Sequence, residues 1–314
     1  MLKRIANHLF WLGRYLERAE WRARLVDVNY HLLVQSPQSS EGWLPLLAIT
    51  GDRASFASYS ASSDEVSVLR FFTLEESNPS AIRNCIALAR ENCRALRNHI
   101  SSELWLEVNT LYLDSRNWES AAFQEPGVYA FFFDLRQRFY RLSGVVENTL
   151  PRDLGFDFLL VGRSLEAAED VTRLLDVKYH FLLPRVEDVG TALDLGQWAA
   201  LLRSASALEA YRATYGNAIG IEQVVEFLLF DPAFPRAARF SLKRLLAALE
   251  RIAAAAPTPR PVPVSPTAIA LVERLSRDNA REAIEAGLHE YLLSLQADCA
   301  RVGDEVFAAY LKTE

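Results

Sequence analysis

Apolar residues recur every three to four positions along nearly the whole chain, with few alternating stretches and almost no Asn-Gly or Asp-Gly turns. That period belongs to helices, so the expected fold is an all-α helical bundle. A first long helix is expected from about Lys3 to Val34, ending before Pro37, because the residue ahead of a proline is biased away from helix. A second should run from about Asp153 to Leu183, ending before Pro184. Asn78-Pro79 reads as an N-cap with proline at the first helical position, which predicts one helix from there to about Asn109. Further helices are expected over Tyr129 to Asn148 and over Pro266 to about Leu311.

The pattern repeats. Leu12-Gly-Arg-Tyr-Leu-Glu-Arg-Ala-Glu20 returns as Val161-Gly-Arg-Ser-Leu-Glu-Ala-Ala-Glu169, and Arg24-Leu-Val-Asp-Val-Asn-Tyr-His31 returns as Arg173-Leu-Leu-Asp-Val-Lys-Tyr-His180, both at an offset of 149 residues. Trp43, Tyr59, Phe71 and Pro79 find counterparts in Trp198, Tyr215, Phe227 and Pro235. A period this long makes two structural halves rather than a solenoid. The expected architecture is two tandem, pseudo-symmetric multi-helix units, 1–150 and 151–314, forming one compact domain. The proline-rich stretch 256–266 reads as an extended connector before the last helix.

On a helical wheel Gly13, Glu17, Glu20, Arg24, Asp27 and His31 share one arc of about 80°, bordered on both sides by apolar residues. This polar stripe is expected to point into the bundle or a cleft. Arg163, Glu166, Glu169, Arg173, Asp176 and His180 repeat it on the second long helix, with Arg14 answering Arg163. Two readings stand side by side: a structural network of Glu20–Arg24 and Arg24–Asp27 pairs, or a ligand-binding cleft. Arg18 and Arg22 fall on the expected solvent side. The Glu-x-x-His spacing of a di-iron bundle is missing, and arginines stand between the carboxylates, so no metal is expected.

A second constellation, Arg83, Arg90, Arg94 and Arg97, shares an arc of about 60° beside an apolar face. Guanidinium groups so placed can hold a carboxylate or phosphate, or serve structure alone.

Composition narrows the function classes. Forty acidic against 34 basic residues, mixed along the chain to a net charge of −6, give no basic block for nucleic acid or a membrane surface. Three cysteines without CxxC spacing fit a reducing, cytoplasmic setting, with Cys85 and Cys93 packing as small hydrophobes. No GxSxG, HExxH, GxGxxG or phosphate-binding loop is present.

The sequence resembles the alpha-E domain family, all-helical bacterial proteins with a Glu-Arg motif. The resemblance rests on Trp11-Leu-Gly-Arg-Tyr-Leu-Glu-Arg-Ala-Glu20, on Asn78-Pro-Ser-Ala-Ile82 with Ala89-Arg-Glu-Asn92, Arg94 and Glu103-Leu-Trp105, and on the second-half motifs through Trp198-Ala-Ala-Leu-Leu-Arg203 and Ala210-Tyr211. Leu165-Glu-Ala-Ala168 departs from the family's Leu-Glu-Arg-Ala. The resemblance implies association with circularly permuted ATP-grasp ligases or transglutaminase-like proteins, and hence a helical partner or scaffold in amide-bond formation. It places ATP and Mg on the partner and no cofactor in this chain. An enzyme using the Glu/Asp/His stripe and a purely structural interaction module are the alternatives, and homo-oligomerisation is left open.

Overall fold

A computed structural model describes residues 3–35, 42–118, 127–181, 192–255 and 264–312, and among them are fifteen α-helices and no strand. None of these helices is long and apolar enough to cross a membrane. The expected helix stops at Pro37 and Pro184 and most of the proline-rich connector lie outside the described residues. Two compact units emerge. One comprises Met1–Leu44, Asp52–Arg163 and Phe307–Glu314; the other comprises Pro45–Gly51 and Ser164–Val306.

The first unit is organised on α1 (Lys3–Gln35), a 33-residue helix of Leu, Ala, Arg and Glu without an interior proline. After α2 (Leu44–Ile49) come α3 (Arg53–Tyr59), α4 (Glu65–Thr73), α5 (Ile82–Ala95), α6 (Ser102–Ser115) and α7 (Gly127–Thr149). The unit also takes the start of α8 (Leu154–Phe181) and the π turn Phe307–Leu311. α1 packs on α5, α7 and that C-terminal turn, and Ile82, Cys85, Ile86, Ala89 and Cys93 form the buried face of α5. Each large aliphatic side chain buried there contributes about 1.5–3 kcal/mol.

The helix expected from Pro79 to Asn109 is two helices. Asn78 does not cap it: its Oδ1 accepts from Ser80 N at 3.0 Å, and its Nδ2 donates to Phe71 O at 3.1 Å, tying the end of α4 to the turn. The chain breaks after Ala95, and Ser101 restarts it by accepting the amide of Leu104 at 3.2 Å, with Glu103 in the first turn. Arg22, expected in solvent, is buried; it pairs with Asp52 at 2.7 Å and lies over the Phe72 ring.

The second unit holds the rest of α8 together with α9 (Ala192–Ser204), α10 (Leu208–Tyr215) and α11 (Ile221–Val225), which runs into a π turn at Glu226–Phe230. α12 (Ala238–Ala254) packs on α13 (Pro266–Arg277), and α13 on α15 (Leu288–Val306). The single helix expected from Pro266 is therefore broken, with α14 (Ala280–Glu285) between. Asn279 caps α14 through Glu282 N at 3.1 Å, and Gly287 supplies the positive φ of 100° that ends it. Like contacts occur at like positions in the two units. Tyr59 meets Phe71 at 5.5 Å and Tyr215 meets Phe227 at 6.1 Å; Arg83 donates to Leu74 O at 2.7 Å and Arg239 to Phe230 O at 3.1 Å.

Candidate functional site

The stripe of α1 is buried. Glu17, Glu20, Arg24 and Asp27 are each at most 5% exposed. Ionised groups survive such burial only when paired and hydrogen-bonded, and each of the three carboxylates faces a guanidinium. Glu17 accepts from Arg163 Nε at 2.8 Å, Glu20 pairs with Arg24 at 2.7 Å one turn later, and Asp27 pairs with Arg136. Arg163 also reaches Glu20 at 3.9 Å. Burial works against the Arg163 charge, but Glu17 and Glu20 outweigh it and hold its pKa above the ordinary value.

Three partners come from α7, and sequence reasoning had not singled them out. Arg136 meets Asp27, Tyr140 accepts from Arg24 Nη1 at 3.2 Å beneath the guanidinium, and Ser143 accepts from Arg163 Nη2 at 2.9 Å. Their i, i+4, i+7 spacing places them on one face of α7, beside the buried row Phe132, Leu135, Phe139, Leu142 and Val146. The signal was in the sequence as a polar edge on an apolar helix. The space enclosed beside Gly13, Glu17, Glu20, Ser143 and Arg163 is about 20 Å³, room for one water.

Gly13 and Gly162 place Arg163 at this network. A Cβ on Gly13 would overlap the carbonyl oxygen of Leu159 and stand 2.9 Å from the amide of Arg163, while one on Gly162 would overlap the carbonyl oxygen of Phe10. The repeated Gly-Arg dipeptide thus lets two helix backbones touch and delivers an arginine beside the crossing.

In the second unit Glu166 is buried, Glu169 lies 3.9 Å from Arg173 one turn on, and Asp176 pairs with His289 of α15 at 2.5 Å. His31 and His180 sit on their helices, and their side chains lie outside the described residues. Arg14 is buried, with its guanidinium near the Phe10 and Trp11 rings. No group of three or more His, Cys, Asp or Glu side chains is arranged to hold a metal among the described residues.

The four arginines of α5 and its C-terminal turn divide their work. Arg83 donates to the carbonyl of Leu74. Arg90 binds Asn109 Oδ1 at 3.0 Å and Glu91 at 2.6 Å and lies over Tyr112; Arg97 lies over Trp105. Arg94 pairs with Glu91 at 2.6 Å and is the most open of those in ion pairs, 65% exposed.

Comparison with known proteins agrees with the helical reading. The chain is similar to uncharacterized proteins of Mycobacterium bovis (25% identical) and Mycobacterium tuberculosis (25% and 24% identical in two strains), each over 98% of this chain and 37% of the relative. It thus spans little more than a third of the length of these relatives. No solved structure matches it. The family described as a predicted alpha-helical domain with a conserved ER motif matches residues 1–311, and the chain belongs to this Alpha-E family.

Proposed function

We propose that this chain is the helical partner or scaffold subunit of an ATP-grasp-type amide ligase system, with ATP and Mg held by the ligase. The observation that carries this reading is the length relation. Relatives that match nearly all of this chain devote only 37% of their own length to it, so an all-α unit of this kind stands there beside a larger stretch of chain. A module that works with a neighbour is expected to occur in that way, and the resemblance supplies ATP-grasp or transglutaminase-like proteins as the neighbour. The first-unit stripe supports it too, because Glu17, Glu20 and Asp27 are committed to arginines rather than poised for catalysis. A second reading, an enzyme in its own right, draws on Asp176 and His289 at 2.5 Å, since a carboxylate that orients an imidazole is a common general-base pair.

Co-purification with a circularly permuted ATP-grasp protein, followed by ATPase and ligation assays with and without this chain, tests the proposal. A stable complex whose ligation requires both chains is expected. A ligase that neither binds this chain nor changes rate in its presence overturns the partner reading, and turnover by this chain alone, lost in His289→Gln, establishes the second.

A further inference from the structure

We infer that a second copy of this chain docks on the exposed face of α7, the two helices lying antiparallel about a two-fold axis that passes between Arg138 and Phe139. The buried row of α7 faces its own unit. On the far side Phe133, Gln137, Tyr140 and Gly144 follow one another at steps of four, three and four, the spacing of a seam between two packed helices. Phe133 and Tyr140 are 42% and 43% exposed, and Gln137 is exposed as well. Asp134 and Arg141, both exposed, flank this seam on one edge.

The seam complements itself, which is what selects a second copy as the occupant. A two-fold interface is isologous, so each contact is made twice. In the antiparallel register Phe133 faces Gly144 of the second copy, and Gln137 faces its Tyr140. Gly144 supplies the hole for that ring. A Cβ there would meet nothing within 4 Å, so no neighbour among the described residues asks for a glycine that weakens a helix interior.

Charge fixes the same direction. Asp134 forms no ion pair among the described residues, and Arg141 reaches Glu107 at 3.5 Å with 58% of its side chain exposed. Antiparallel pairing sets Asp134 about 3 Å along the axis from Arg141 of the second copy, two residues of helical rise and within reach of a long side chain. Two such pairs border the seam, one at each end. A parallel arrangement would set Phe133 on Phe133 and Asp134 on Asp134, leaving Gly144 unfilled. One helix pair buries less than the standard interface of about 800 Å² per partner, so the dimer is expected to be weak and dependent on concentration. Association is measured on this chain alone, so the inference stands or falls apart from the partner reading.

Sedimentation velocity of the full chain over a concentration series, with the single variants Asp134→Arg and Arg141→Asp and their equimolar mixture, tests it. Wild type should pass from monomer to dimer as concentration rises. Each variant alone places like charges opposite one another and should associate about tenfold more weakly, whereas the mixture restores both ion pairs and should dimerise as wild type does. Both variants should melt as wild type at dilutions where the chain is monomeric, because the replaced side chains are exposed. A wild-type chain that stays monomeric throughout, a dimer undiminished in both variants, or a mixture no tighter than either variant overturns the inference.

Discussion

Gly13 and Gly162 face one another's helices across a single crossing, each positioned so that a Cβ would run into a backbone carbonyl of the other helix. A glycine inside a helix costs about 0.5–1 kcal/mol relative to alanine, and here that loss is offset by an approach no larger residue permits. Gly13→Ala and Gly162→Ala are each expected to destabilise by about 1–3 kcal/mol, the range for overpacking. Gly144→Ala on α7, where a Cβ would meet nothing within 4 Å, should be neutral or mildly stabilising. Thermal melts of the three variants check the ordering.

The Glu17–Arg163 pair should show strong coupling. Removing one partner of a buried pair costs about 3–5 kcal/mol, mostly by stranding the other charge, while replacing both costs much less. Urea titrations of Glu17→Gln, Arg163→Met and the double variant should give a double loss well below the sum of the singles. An additive result means that the pair is not a unit.

Acid sensitivity should have a local component at the start of α13. Burial pushes the Glu305 carboxyl up, but hydrogen bonds from Ser265 and Thr267 outweigh it and hold its pKa below the ordinary value. A carboxyl depressed in the folded state stabilises above its unfolded value near 4.5 and loses that contribution as the pH falls through the folded value. Glu305→Gln should therefore lower the melting midpoint at pH 7, and the gap to wild type should shrink as the pH falls below 4.5.

Thiol chemistry should be silent in the native protein. Cys85, Cys93 and Cys299 are buried and none of them forms a disulfide, and burial pushes the Cys93 thiol up to about 12, far from thiolate at neutral pH. Ellman's reagent should find almost no reactive thiol in the folded chain and all three after denaturation.

What the sequence made legible is what local pattern determines. The period of apolar residues gave α1, α7 and α8 to within a few residues, because an uninterrupted run without proline or capping signals has no competing local structure. The break between α5 and α6 was hidden because Ser101 looks like any polar residue on a helix until its capping bond to Leu104 is seen. Arg22 was misplaced because its partner, Asp52, lies 30 residues away on another element. The stripe was visible on α1, whereas Arg136 and Tyr140 answer it from more than 100 positions away, a pairing set by packing rather than spacing. Gly13 was seen as part of the stripe, and its role in the helix crossing needed coordinates.

The central claim is that the stripe of α1 holds the helices together and that chemistry belongs to a partner. Asp27 tests it most directly, buried at 2% exposure and paired with Arg136 across to α7. The decisive measurement is the thermal melt of Asp27→Ala beside its ability to support ligation by a partner ATP-grasp enzyme. The account predicts a midpoint lowered by several degrees, as the breaking of a buried pair requires, with ligation reduced only in proportion to the folded protein that remains. A variant that melts like wild type yet no longer supports ligation would contradict it and make the stripe a functional surface.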